Sequence, residues 1–115
     1  MLIPPAIPFD QQECNLGKAV WSIPRLAQLA QDLPTITVPL DALNLNCTEY
    51  VYNMREMVMH VKQITRANMD YPIILDEDGE IMDGRHRIMH ALYNEHTEIK
   101  AKRFDINPTP CRYKE

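Results

Sequence analysis

Three basic side chains and one acid stand within five residues at Asp83-Gly84-Arg85-His86-Arg87, directly before the apolar-patterned run Ile88 to Leu92. If that run is a helix, Arg85, His86 and Arg87 fill its first turn, where the peptide dipoles already present their positive end. Positive charge there is unfavourable unless an anion neutralises it. Backbone N–H groups at a helix start, a permissive glycine and guanidinium groups together can cradle a phosphate. The pattern therefore predicts an anion site at Gly84, Arg85, His86 and Arg87, set against the plainer reading of a solvated, charged first turn. His86, with an ordinary pKa near 6.5, could donate to phosphate oxygens or carry a proton, so it is a candidate catalytic group. Asp83 reads first as the helix cap and second as a catalytic acid.

Other residues offer weaker signals. Arg55, Lys62 and Arg66 are spaced by seven and eleven residues and so share one helical face. A wet surface is the usual meaning of such a face, and Arg55 is the one expected near a pocket. Asp76, Glu77, Asp78 and Glu80 could bring Mg²⁺ to a nucleotide, since magnesium takes oxygen ligands and phosphate partners. An Asp-Gly turn explains most of that cluster. His60 reads as a packing histidine, His90 and His96 as surface residues, and the seven methionines as core filler.

These groups need elements to hold them. The first twenty residues, broken by Pro4, Pro5 and Pro8, read as an irregular arm anchored by Trp21. Ser22 is expected to cap a helix whose apolar face is Ile23, Leu26, Ala27, Leu29 and Ala30, ending before Pro34. A short strand follows at Ile36 to Leu40, with Pro39 marking a sheet edge or a strand end. A second helix is expected from about Asn53 to Asn68, with Met54, Met57, Val58, Val61 and Ile64 as its buried stripe. Pro72 to Leu75 is continuously apolar, so it reads as a buried strand. It turns at Asp76 to Gly79 into the strand Glu80 to Met82. The third helix is expected to open at Gly84 and to bury Ile88, Ala91 and Leu92. Ile99 to Phe104 alternates as a last strand, and the tail from Asn107, with Pro108 and Pro110, is expected along the surface. The divisions are thus 1–35 as arm and helix, 36–106 as the main domain and 107–115 as tail, in a small α+β fold.

Composition narrows the function classes. With 115 residues, 45% hydrophobic and 24% charged, the chain fits one globular domain. A net charge of −4 argues against a broad, non-specific grip on DNA. Cys14, Cys47 and Cys111 form no metal-ligand spacing and read as thiols in a reducing compartment. The absence of a secretory pattern and of any apolar run near the roughly 18 to 20 residues of a membrane span points to a cytoplasmic protein with no membrane partner.

The segment 36–104, with YPIILDEDGEIMDGRHRIMHAL at its centre, resembles the ParB/sulfiredoxin superfamily. That family's signature is a strand pair feeding a Gly-x-His-Arg or Gly-Glu-Arg-Arg turn at a helix start. The resemblance implies a small mixed sheet with about three helices and a turn that binds nucleotide phosphates: ATP in sulfiredoxins, CTP in ParB clamps, ATP or ADP in free serine kinases. Gly84 then takes the family's glycine, and His86 and Arg87 its phosphate ligands. Arg85 stands where sulfiredoxins keep their catalytic cysteine, so sulfinic-acid reduction is not expected. Arg55, or Lys62 in competition with it, would be the basic ligand from the family's first helix. The implied function is binding of ATP or another nucleotide, with Mg²⁺ as a companion, by an ATPase or phosphotransferase. Two alternatives stand beside it: a DNA-associated partition or nuclease module, and a non-catalytic regulatory protein of a mobile element that acts through a protein partner or a homodimer. Nothing in the sequence matches the helix-turn-helix of partition proteins.

Overall fold

The short strand Ile73–Leu75 (β4) organises the chain, and all three of its residues are buried. The computed structural model describes residues 2–46 and 53–115; Cys47, one of the three expected thiols, lies outside them. Along a strand, side chains alternate between faces, so a run buried at every position must be covered on both sides. Ile73 and Leu75 join Leu40, Ile81, Ile88, Ala91, Ile99 and Ala101 in one apolar cluster. Ile74 joins Trp21, Ile23, Leu26, Met82 and Phe104 in the other.

The sheet that holds β4 has four strands. Ile36–Pro39 (β3) lies at one edge and pairs antiparallel with Glu98–Arg103 (β6). Next come β4, parallel to β6, and Ile81–Asp83 (β5), antiparallel to β4 at the other edge. Pro39, which has no N–H to give, ends the edge strand β3, as its ring requires. The β4–β5 turn is built by Asp76, whose Oδ1 accepts from the backbone N–H groups of Asp78 and Glu80, both at 2.8 Å. This carboxylate is buried and serves the turn.

The arm is ordered in a way the sequence reading did not foresee. Glu13–Leu16 (β1) and Ala19–Ser22 (β2) form an antiparallel hairpin around Gly17 and Lys18. Gly17 has φ +61°, which suits the glycine-first hairpin turn. The tail is a strand as well: Arg112–Tyr113 (β7) pairs with β2 and completes a second, three-stranded sheet. Trp21 is buried against the main sheet, and its Nε1 donates to the Pro108 carbonyl at 2.9 Å. The residue expected to anchor the arm therefore anchors the tail too. Ile23–Leu29 (α1) starts at Ser22, whose Oγ accepts from the Arg25 N–H at 3.2 Å. It ends at Leu29 with Ala30 buried as the C-cap, and Ala27 and Leu29 of the expected apolar face are exposed.

Two further helices complete an α+β fold of three helices and two small sheets among the described residues: Met54–Thr65 (α2) and Arg85–Tyr93 (α3). Helix α3 buries Ile88 and Ala91 against the main sheet, while Leu92, expected inside, is exposed. Asn53 caps α2 by accepting from the Glu56 N–H at 3.0 Å. The expected buried stripe of α2 is contradicted, because none of its residues is buried and Met54, Met57, Val58 and Val61 face outward. The physical reason is position. The sheet face is already covered by α3, and α2 stacks outside α3 through His60, Ile64 and its partly buried polar side. Met54 and Met57 are accordingly not core filler, whereas Met82 is buried in the core and Met69 packs against it. No helix among the described residues is long and apolar enough to cross a membrane.

Candidate functional site

The Asp83 to Arg87 turn sits where β5 runs into α3, and Gly84 makes that junction possible. Its φ of +113° lies where side chains are strained. A Cβ there would lie 2.8 Å from Ile73 Cβ and overlap Ile73 Cγ2. The fold therefore demands glycine at this position whatever the turn binds. Gly84 is also the N-cap of α3, which begins at Arg85, so the expected capping role of Asp83 is corrected. With no side chain at the cap, the first N–H groups of α3 lack the usual carboxylate or hydroxyl partner.

Asp83 is engaged elsewhere. Its Oδ2 lies 2.8 Å from Arg87 Nη2, one turn along. Arg87 Nη1 donates to the carbonyls of Tyr71 and Pro72, both at 3.0 Å. Three of the five guanidinium N–H donors are thus committed to tying α3 to the chain entering β4. Arg87 and Asp83 form a clamp that holds the turn in shape.

His86 meets a partner from α2: its Nε2 lies 2.9 Å from His60 Nδ1, with the rings tilted and their centroids 5.2 Å apart. One nitrogen must donate and the other accept, so the two facing nitrogens share a single proton. Burial lowers the His86 pKa from its ordinary value, and the nearby His60 and Arg87 lower it further, against a raising effect of Asp83. Four residues on, His90, expected at the surface, is partly buried, and its Nδ1 lies 2.8 Å from the Ile64 carbonyl. Two histidines of α3 thus bind α2 at one-turn spacing.

Beside these groups a cleft of about 1160 Å³ opens between the main sheet, the N-terminal hairpin and the helices. Asp83, Gly84, Arg85, His86 and Arg87 all line it. Arg66 and Lys102 face the same space, as do the exposed aromatic rings of Phe9 and Tyr71. Lys102 Nζ donates to the Gln31 carbonyl at 2.9 Å, whereas Arg66 and Arg85 form no ion pair among the described residues. Arg55 and Lys62 do not line the cleft and lie exposed on α2. The three-cation stripe is split by helix geometry, with only Arg66 at the C-cap reaching the cleft. Lys102, Phe9 and Tyr71 carried no local signal, because each arrives from a different element.

The acidic cluster is dispersed. Asp76 is used by its turn, and Glu80 Oε2 accepts from Asn44 Nδ2 at 3.3 Å. No group of three or more His, Cys, Asp or Glu side chains among the described residues is arranged to hold a metal ion. No protein-family model matches the chain, and neither a curated protein nor a solved structure shows significant similarity to it.

Proposed function

We propose that this chain is a nucleotide-phosphate-binding domain of the ParB/sulfiredoxin type, with the phosphates at the start of α3. The observation that carries the reading is that Arg85 and Arg66, which form no ion pair among the described residues, share one open cleft with the α3 N-terminus, whose cap is a glycine. Negative charge is stabilised there by the helix dipole, by backbone N–H groups and by guanidinium hydrogen bonds. Phe9 and Tyr71 offer aromatic faces along the same cleft, suited to a base. The cofactor proposed is ATP or another nucleotide, with Mg²⁺ arriving on the phosphates.

Catalysis is the second layer of the proposal. His86 is held toward its neutral form, which suits a group that accepts a proton at neutral pH. Asp83, bound to Arg87, positions the turn. An ATPase or phosphotransferase is the reaction class consistent with phosphates placed against Arg85 and His86. Isothermal titration with ATP, ADP and CTP in Mg²⁺ tests the binding claim. At least one nucleotide should release heat, and Arg85→Ala should weaken it by about tenfold or more, the value of a charge-assisted hydrogen bond. Silence with all three ends the reading.

A further inference from the structure

Helix α2 carries four of its apolar residues on a side that no described residue covers. Met54, Met57, Val58 and Val61 are 87, 56, 42 and 49% exposed, and they recur at i, i+3, i+4 and i+7. That spacing draws one continuous stripe, the kind an amphipathic helix lays against a groove or a second helix. Two of the four are methionines, whose flexible thioethers adapt to the shape of a partner.

Charge decides what the partner is. Arg55 and Lys62 are exposed along one edge of the stripe and form no ion pair among the described residues. Glu56, the helix's one acidic residue, projects from the far side and is partly buried. In an antiparallel two-fold pairing, each cationic edge would meet its own symmetry mate. In a parallel pairing it would meet α3, which has no acidic residue to offer. A second copy is therefore a poor occupant, and the net charge of −4 opposes an anionic bilayer. We propose that the outward face of α2 docks an acidic amphipathic helix of another protein. Its apolar side would rest on Met54, Met57, Val58 and Val61, and its carboxylates would run along Arg55 and Lys62.

The test uses two labelled synthetic helical peptides with leucines at i, i+3, i+4 and i+7, identical except for Glu or Lys along one edge. Fluorescence anisotropy should show the Glu-edged peptide binding at least roughly tenfold more tightly than the Lys-edged one, with the difference shrinking as salt is raised. Val58→Asp with Val61→Asp, and separately Arg55→Glu with Lys62→Glu, should each remove that binding while the far-ultraviolet circular dichroism stays unchanged. Failure of both peptides to bind, equal binding of the two, or insensitivity to the α2 variants would overturn the proposal. So would self-association abolished by the Val58/Val61 pair, or flotation with phosphatidylserine vesicles; these would hand the face to a second copy or to a bilayer.

Discussion

Arg85 and Arg87 stand two residues apart and do opposite work. Arg87 spends its guanidinium on Asp83, Tyr71 and Pro72, so Arg87→Ala should destabilise the fold by about 2–3 kcal/mol, read as a lower urea midpoint at unchanged slope. Arg85→Ala should leave stability within about 0.5 kcal/mol and act on nucleotide binding instead. His86 gives a pH signature. Its folded pKa lies below 6.5, so between that value and 6.5 the unfolded chain holds the extra proton. Stability is therefore expected to rise with pH through that window and to fall as pH drops toward the folded pKa. The ring-proton NMR midpoint of His86 should lie below 6.5 and move up in His60→Ala. A wild-type midpoint at or above 6.5 would contradict the burial and His60 argument. The need for a glycine at 84 was legible from sequence, though its reason was not, since the clash with Ile73 is set by β4, eleven residues earlier.

At the scale of elements, local chemistry was read well and tertiary cover was not. Ser22 caps α1 as its position before Ile23-Pro24 indicated, and Ser22→Ala should cost about 1 kcal/mol, measurable by thermal unfolding. The Asp-Gly turn, the edge strand with Pro39 and the buried strand at 73–75 likewise follow from turn chemistry, a missing N–H and an unbroken apolar run. The α2 periodicity was equally clear, yet it fixes only which residues share a face. Whether that face meets the sheet depends on α3 having taken the place first. The hairpin β1–β2 was hidden behind prolines, although Gly17 between Leu16 and Ala19 was its available signal.

At the scale of the molecule, two apolar clusters share one sheet, and β4 supplies both through alternate residues. Ile73→Ala should therefore cost about 3–4 kcal/mol, a large share of a small domain's stability, and lower the melting temperature accordingly. Pairing of β7 with β2 joins residues about ninety apart, and no local pattern in a proline-bearing tail could announce it. The same long-range closure brings Phe9 of the arm, Tyr71 before β4 and Arg85 of α3 around one cleft. The nucleotide proposal rests on that convergence. It is tested most directly by following backbone amide resonances as Mg²⁺–ATP is added. The largest shifts should fall on Arg85, His86 and Arg87, with smaller ones at Arg66 and Tyr71. Saturating nucleotide that leaves the start of α3 unmoved, or that shifts only residues away from the cleft, would contradict the account.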